Sequence, residues 1–236
     1  MKRNRLSAAV LGVLLCLALA AGIGSSFRAV QAAGKAMIEE GLSHRLILDA
    51  GHGGFDGGAT GKNGAVEKDL NLAITQQAAA IASLAGFSVT QVRGGDAAVC
   101  DEGLSTLREK KVSDIHNRLA MLEEDPAATF VSIHQNFFRQ ASCRGTQVFF
   151  SPNDPRSQTL ARSLQNRIAG NLQPENEREI KPAEKNLYIL FHAQSPAVLV
   201  ECGFLSNPEE CEQLCTAKYQ QQIAFSIVEA LLEEAV

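Results

Sequence analysis

The stretch from Ile47 to Glu67 constrains the fold of this chain more than any other segment, because it joins three local patterns within 21 residues. It begins as an apolar run, continues as a loop with seven glycines, and ends where a helical pattern begins. A strand that passes through a glycine-rich turn into a helix is typical of open α/β sheets, which bind ligands at the carboxyl ends of their strands. We therefore expect a functional site at this glycine-rich loop (residues 51–66), close to His52 and Glu67.

The glycine-rich loop does not match the two common phosphate-binding motifs. The dinucleotide motif G-x-G-x-x-G fails in the frame that starts at Gly51, because Asp56 occupies the position of the third glycine. The P-loop motif fails around Lys62, because Asp56 replaces its first glycine and Asn63 its hydroxyl residue. A nucleotide ligand is not expected, and the glycines instead allow positive φ angles and close approach of the backbone.

The first 35 residues have the composition of a targeting segment. They contain five basic and no acidic side chains, and Leu6–Gly24 is a mostly apolar, uncharged stretch of 19 residues. This length lies between that of a cleaved signal peptide and that of a membrane anchor, which needs about 20 apolar residues. Residues 1–35 are therefore predicted to be a signal peptide or an N-terminal membrane anchor, with the rest of the chain exported from the cytoplasm.

The remainder of the chain is long enough for one domain, which we predict over residues 44–236. After residue 35 there are 17 basic and 26 acidic side chains, and such an acidic domain is not expected to bind nucleic acid. Five cysteines follow residue 35, without the spacing of a disulfide framework. Cys211 and Cys215 lack the second pair that a structural zinc site requires, so they are predicted to be packing residues.

Strand and helix patterns alternate along this domain. Runs typical of strands occur at residues 45–49, 88–93, 129–133, 146–150, 187–191 and 197–200, and helical patterns at about 67–85, 112–122, 155–169, 208–214 and 219–232. The alternation predicts a single α/β domain with a twisted, mostly parallel central sheet of about six strands, flanked by helices on both faces. The polar segment from Gln173 to Asn186 is predicted to be a loop that lines a substrate groove.

Three ionisable side chains, His52, His134 and Glu201, stand at or just beyond the ends of predicted strands. Parallel strands bring such ends to one edge of a sheet, where Glu67 at the start of the next helix can join them. His52, Glu67 and His134 supply a set of ligands that suits one catalytic zinc ion with an open fourth position. Glu201 lies among apolar residues, which raise a carboxyl pKa, and is predicted to be the general acid–base group.

Each of these residues has a simpler interpretation when it is considered alone. A single histidine after a strand is more often a packed residue than a ligand, and Glu67 would be a favourable acidic group at any helix start. The prediction of a catalytic metal site therefore depends on the joint placement of the four side chains.

Three segments of the chain resemble the signature blocks of a known enzyme family. They are LILDAGHGGFDGGATGKNGAVEKDL, FVSIHQNFF and AVLVECGFLSNPEE. They are similar to the zinc-dependent N-acetylmuramoyl-L-alanine amidases of the AmiC/LytC type, and the similarity extends over about residues 45–232. The resemblance implies one Zn²⁺ ion bound by His52, Glu67 and His134, with Glu201 as the catalytic glutamate. It also implies the substrate, which is the amide between the lactyl group of N-acetylmuramic acid and L-alanine in peptidoglycan.

The segment Cys100–Leu122 resembles more narrowly the germination-specific, CwlD-like amidases of spore formers. This implies action on spore-cortex peptidoglycan and a part in forming muramic δ-lactam, with membrane contact only through the N-terminal segment. The resemblance leaves room for an accessory deacetylase or an activator protein. The chain departs from the family at Ala50, where proline is usual, and at Gln135. Arg118 matches a common arginine, but Asp114 four residues earlier predicts an ordinary helical ion pair.

Two other functions stay open at this point. A zinc exopeptidase of the two-metal type would need a bridging carboxylate, for which Asp49 and Asp56 are the acidic residues nearest to His52 in the sequence. A membrane-tethered, non-catalytic protein that binds the cell wall would keep the metal ligands but would have no need for Glu201.

Overall fold

The computed structural model describes residues 44–234, which form one α/β domain around a six-stranded sheet. Its strands are β1 (Arg45–Ala50), β2 (Ser88–Gln91), β3 (Thr129–Asn136), β4 (Gln147–Phe150), β5 (Lys181–Pro182) and β6 (Ala197–Phe204). Its helices are α1 (Glu67–Leu84), α2 (Leu107–Glu123), α3 (Pro155–Leu172), α4 (Tyr188–His192), α5 (Pro208–Leu214) and α6 (Ala217–Glu234). The predicted fold class is confirmed. The predicted targeting segment, residues 1–35, lies outside the described residues.

The strand order brings the ends of β1, β3 and β6 together. The order is β2-β1-β3-β6-β4-β5, and every neighbouring pair is parallel except β4 and β6. Because β1, β3 and β6 are consecutive and parallel, the chain leaves all three at the same edge of the sheet. The residues predicted for the site from these strands therefore meet at this edge.

Helices cover both faces of the sheet. On one face, Phe130 and Leu199 pack in a core cluster with Leu122 of α2 and Leu190 of α4. Side chains alternate along a strand, so their neighbours project from the other face. The second face has its own buried apolar residues. The sheet contributes Leu48, Val131 and Val200, and the helices α1, α3 and α6 contribute Ile74, Leu164 and Ile227. Within residues 44–234, no helix is both long and apolar enough to cross a bilayer.

The predicted strand at residues 187–191 is wrong, because this run forms the short helix α4 (Tyr188–His192). A short apolar run fits a buried helical turn as well as a strand, and only Leu190 of α4 is fully buried. The sixth strand is instead β5, Lys181–Pro182, inside the segment predicted to be a loop. It pairs with β4 at the edge of the sheet, where a proline is tolerated.

Helix α2 begins at Leu107, five residues earlier than the predicted position 112. Thr106 caps it, because its side chain accepts a hydrogen bond from the backbone N–H of Glu109, while the Glu109 side chain bonds the Thr106 backbone. This reciprocal capping box stabilises a polar first turn of the helix. Because that turn shows no apolar periodicity, the sequence pattern placed the start of the helix too late.

Candidate metal centre

The chain turns sharply after β1, and His52 takes a backbone conformation that is unusual for a residue with a side chain. Its φ angle is 63°, in the left-handed region, which costs on the order of 1–3 kcal/mol. Neighbouring groups hold this conformation, since Gly51 N–H donates to Ile133 O at 3.0 Å and Arg118 Nη2 donates to His52 O at 2.8 Å. The turn directs the imidazole towards Glu67.

His52, Glu67 and His134 converge on one point. The Oε1 atom of Glu67 lies 3.1 Å from His52 Nε2 and 3.0 Å from His134 Nδ1. One ligand atom from each residue lies within 4.8 Å of the other two, as a shared metal ion requires. Two ligands of a tetrahedral zinc ion lie about 3.4 Å apart, as its bond lengths of about 2.0–2.1 Å imply. The three side chains are thus already close to a ligand geometry.

Glu67 is held in place at both carboxylate oxygens. Its Oε2 atom accepts a hydrogen bond from Ala59 N at 2.8 Å, and Oε1 accepts one from Gln135 N at 3.2 Å. Burial raises the pKa of Glu67, but its hydrogen bonds with His134 and His52 outweigh burial and hold the pKa below its usual range. Glu67 is therefore ionised, the form in which a carboxylate binds a metal ion.

Asp56 orients His52 from the side away from Glu67. Its Oδ2 atom lies 3.0 Å from His52 Nδ1, and its Oδ1 atom pairs with Lys111 Nζ at 3.0 Å. Burial lowers the pKa of His52, but hydrogen bonds with Asp56 and Glu67 raise it to about 9. A carboxylate at one ring nitrogen leaves the other nitrogen to face a metal ion. The sequence suggested Asp56 only as a spare ligand, because contacts inside a loop follow no periodic pattern.

Glu201 lies in β6 beside His134 in β3, and the two residues are register partners. The residue is partly exposed, but its Oε2 atom is buried and has no hydrogen-bond partner among residues 44–234. Burial raises the pKa of Glu201 to about 7, against the opposing effect of His134. The structure therefore brings all four predicted site residues together, with a carboxyl group that can exchange a proton near neutral pH.

Arg118 supports this site in a way that the sequence did not reveal. The predicted ion pair with Asp114 is present, with Arg118 Nε 2.5 Å from Asp114 Oδ1. However, Arg118 is only 3% exposed, and it also pairs with Asp49 and donates to Ala50 O and His52 O. Its guanidinium therefore ties α2 to the turn that carries His52.

Arg93 makes similar contacts from the other side of the turn. It donates to Ala50 O at 2.8 Å, to Gly51 O at 3.2 Å and to Lys68 O at 2.8 Å. Arginine side chains rarely lie fully buried without such partners. The sequence, in which Arg93 ends the predicted strand 88–93, gives no sign of these contacts, because each acceptor is a backbone carbonyl.

Two glycines are required by the packing of the ligands. A Cβ atom on Gly51 would lie 2.1 Å from the imidazole of His134. A Cβ atom on Gly58, whose φ angle is 68°, would lie 2.5 Å from Glu67 Oε2. The glycine-rich loop thus allows the backbone to approach two metal-ligand candidates directly, as the sequence predicted.

Asp49 is not free to bind a second metal ion. It is 1% exposed, accepts a hydrogen bond from Ser132 Oγ at 2.7 Å, and pairs with Arg118 through its other oxygen. Asp56 is likewise engaged by His52 and Lys111. Neither residue provides the bridging carboxylate that a two-metal exopeptidase needs.

Comparison with known proteins identifies the family. A family model described as N-acetylmuramoyl-L-alanine amidase (Amidase_3) matches residues 46–233, which include all four residues of the site. The chain belongs to this amidase family.

Relatives of this amidase cover most of its length. The germination-specific N-acetylmuramoyl-L-alanine amidase of Bacillus subtilis (strain 168) is 31% identical over 192 residues, which are 81% of this chain and 80% of the relative. The amidase AmiA of Escherichia coli (strain K12) is 27% identical over 229 residues, covering 79% of this chain and 74% of AmiA. The resemblance to amidases predicted from the sequence is confirmed, and this protein is an enzyme of that family.

Two solved structures of amidases also match this chain. The CwlD amidase of Clostridioides difficile, determined in complex with the GerS lipoprotein, matches with a TM-score of 0.78 and 36% identity, over 81% of this chain and 98% of that chain. The amidase AmiC2 of Nostoc punctiforme matches with a TM-score of 0.67 and 28% identity, over 81% of this chain and 96% of that chain. The likeness to CwlD supports the narrower resemblance to CwlD-like amidases.

Proposed function

We propose that this amidase cleaves the bond between N-acetylmuramic acid and L-alanine with one zinc ion, bound by His52, Glu67 and His134, and with Glu201 as the general acid–base residue. The observation that carries the proposal is the convergence of three ligand atoms beside a buried carboxylate oxygen that has no partner among residues 44–234. A buried, unpaired carboxylate is costly, so a proton-transfer role explains why it is kept.

The residues fit a zinc ion by their chemistry. Two imidazoles and one carboxylate are the ligand set of several catalytic zinc sites, which keep a fourth position open. Asp56 fixes the ring orientation of His52, and the Ala59 N–H group fixes Glu67 through Oε2. Such outer contacts are a regular feature of zinc sites and hold the ligands in place.

Zinc, when bound, supplies a water nucleophile at neutral pH and polarises the amide carbonyl. Glu201 accepts the proton of the attacking water and passes it to the nitrogen of L-alanine, because an unprotonated amine is a poor leaving group. Its apolar surroundings raise its pKa towards neutrality, so it can perform both transfers at the same pH. Glu67 stays ionised throughout and takes no part in proton transfer.

The biological setting is proposed from the relatives. One of them is named as a germination-specific amidase, and another is the CwlD amidase. We infer an extracytoplasmic enzyme of the spore cortex that contributes to muramic δ-lactam formation, with residues 1–35 as its signal peptide or anchor and residues 44–236 as the zinc amidase domain. Because CwlD was determined in complex with a lipoprotein, an activating protein partner is also part of this proposal.

Digestion of purified peptidoglycan tests this function. The protein should release a new amino terminus on L-alanine, and the metal content should be one zinc per chain. The His52→Ala, His134→Ala double variant should lose both the metal and the activity while it stays folded. A new amino terminus on any other residue would favour an exopeptidase, and zinc binding without cleavage would favour a cell-wall-binding protein.

A further inference from the structure

Two cavities of different chemistry lie at the edge of the sheet where β6 ends, and only one of them has metal-ligand candidates in its wall. We call them the aromatic cavity and the polar cavity. The aromatic cavity has a volume of about 260 Å³ and includes His52 and His134 in its wall. The polar cavity has a volume of about 670 Å³ and is lined in part by Arg144 and Arg178.

The aromatic cavity lies between α2 and α4, and it has an apolar wall as well as charged residues such as Asp56, Lys111 and Asp114. Its apolar wall consists of Phe55, Ile115, Leu187, Tyr188, Ile189, Leu190 and Leu199. Small-ligand pockets usually have volumes of roughly 300–1,000 Å³, so a cavity of about 260 Å³ holds one ring rather than several residues of a peptide.

The ring of Tyr188 packs against two histidines beside this wall. Its ring centroid lies 5.1 Å from that of His116 on α2 and 4.3 Å from that of His192. A rigid aromatic ring loses little conformational entropy on binding and offers a flat apolar surface. The C–H face of a pyranose ring matches such a surface.

The polar cavity lies on the other side of the metal ligands along the strand order. Arg144 and Gly145 precede β4, whose Gln147 pairs with Glu201 of β6. The guanidinium of Arg178 lies 4.7 Å from the ring centroid of Phe204, at the end of the same strand. At about 3.4 Å per residue, Arg144 lies at most about 10 Å from Gln147, because three residues separate the two positions along the chain.

The charges of the polar cavity suit a stem peptide. Its wall contains Arg144 and Arg178 together with Glu175, Glu177, Glu209 and Glu210. The stem peptide carries carboxylates and, on its diamino acid, an ammonium group, so both signs of charge find partners. Gln147 lies one strand spacing of about 4.8 Å from Glu201, so Arg144 is at most about 11 Å from Glu201, a distance that three to four extended residues of about 3.3–3.6 Å each can span.

We propose that the substrate binds in one orientation. Its N-acetylmuramoyl ring lies against Tyr188 in the aromatic cavity, and its stem peptide lies in the polar cavity beside Arg144 and Arg178. This inference rests on the proposed amidase function and adds to it the orientation of the substrate. It also gives a role to residues 173–178 of the polar segment, which line the polar cavity.

Four synthetic substrates test this orientation. Each has either an N-acetylmuramoyl group or only a lactoyl group, joined to a stem peptide of two or of four residues. The value of kcat/KM is measured for the wild type and for Tyr188→Ala and Arg144→Ala. The matched controls are Phe225→Ala, an exposed aromatic on α6, and Arg45→Ala, at the opposite end of β1. Thermal unfolding establishes that each variant is folded.

The two variants should respond to different parts of the substrate. We expect Tyr188→Ala to lower kcat/KM about tenfold for both muramoyl substrates and less than twofold for both lactoyl substrates, with Tyr188→Phe restoring the wild-type ratio. Arg144→Ala should lower kcat/KM about tenfold for the four-residue stems and leave the two-residue stems unchanged. Both controls should match the wild type.

The outcomes separate this inference from the proposed function. Equal losses on muramoyl and lactoyl substrates in Tyr188→Ala, or a dependence on the sugar in Arg144→Ala, would overturn the orientation while the wild type still cleaves all four compounds. A wild type that cleaves none of them would overturn the amidase function itself. If Tyr188→Ala fails to fold, the ratio of muramoyl to lactoyl turnover in Tyr188→Leu decides, because leucine removes the flat ring but keeps the apolar contact.

Discussion

At the scale of single residues, one carboxylate oxygen of Glu201 is buried and has no hydrogen-bond partner within the described chain. The sequence predicted this residue from its position after an apolar run and among apolar neighbours. It did not predict the role of Asp56, because the contact of Asp56 with His52 depends on the path of the loop. Nor did it predict that Arg118 reaches His52 O, since the acceptor is a backbone atom on another element.

The first prediction concerns proton transfer. Glu201→Gln keeps the shape of the side chain but removes its ability to carry a proton. General acid–base groups contribute about 10²- to 10⁴-fold, so amide hydrolysis should fall by about that factor, while zinc content and fold stay unchanged. Turnover of purified peptidoglycan and metal analysis measure both quantities. Loss of zinc in this variant would show that Glu201 is a ligand and that Glu67 has been assigned the wrong role.

The second prediction concerns the stability of the metal-free protein. Burial raises the pKa of Glu201 from its usual 4.5 to about 7 in the folded state. The carboxyl group is therefore neutral in both states below about pH 4.5. Between about pH 4.5 and 7 the unfolded state ionises and the folded state does not, so the folded state loses stability over that range and the loss levels off above pH 7. Above pH 7, Glu201→Gln should be about 1–3 kcal/mol more stable than the wild type.

Urea unfolding at pH 5 and pH 8, after removal of metal, measures this difference. The variant and the wild type should differ more at pH 8 than at pH 5. The control Glu123→Gln changes an exposed residue of α2 and should show no such dependence. An equal difference at both pH values would contradict the raised pKa.

At the scale of elements, the glycine-rich loop was predicted well and α4 was not. The composition of the loop predicts it, since its seven glycines lie between an apolar run and a helical pattern. Helix α4 has only five residues, and in so short a run the helical period of 3.6 residues cannot be distinguished from the two-residue period of a strand. In the structure the segment before α4 occupies the edge of the sheet, where Ala183 N donates to Phe150 O.

The third prediction uses two glycines with different surroundings. Gly51→Ala would place a Cβ atom 2.1 Å from the His134 imidazole, so the ring must move away from its position beside Glu67. We expect zinc affinity to fall by about 10- to 100-fold, the range found when groups that orient ligands are altered. Competition with a chelator of known affinity measures this change.

Gly95→Ala provides the matched control. A Cβ atom at Gly95 would meet nothing within 4 Å, and its zinc affinity should equal that of the wild type. If both variants bound zinc as tightly as the wild type, the close packing of Gly51 against His134 would not matter for the site.

At the scale of the whole molecule, the alternation of strands and helices predicted a mostly parallel sheet with helices on both faces, and the number of six strands agrees because β5 takes the place of the strand wrongly predicted at residues 187–191. The convergence of His52, His134 and Glu201 followed from that topology alone, because parallel strands end at one edge. The positions of the two cavities did not follow, since they depend on how α2, α4 and the segment after α3 pack. Those contacts involve residues far apart in the sequence.

The last prediction concerns the effect of metal on the stability of the domain. The three proposed zinc ligands come from the loop after β1, from the first residue of α1 and from β3, so zinc should bind the folded chain and not the unfolded one. A ligand at 100 times its dissociation constant stabilises a protein by about 2.7 kcal/mol. For a domain of 150–250 residues this corresponds to a rise of about 5–10 °C in the midpoint of thermal unfolding. Circular dichroism before and after dialysis against a chelator measures the shift, and readdition of zinc should restore it. The His52→Ala, His134→Ala double variant should show almost no shift, because its site keeps only Glu67. If the wild type loses its zinc to the chelator and its midpoint does not change, the ion does not join these three elements and the proposed ligand set is wrong.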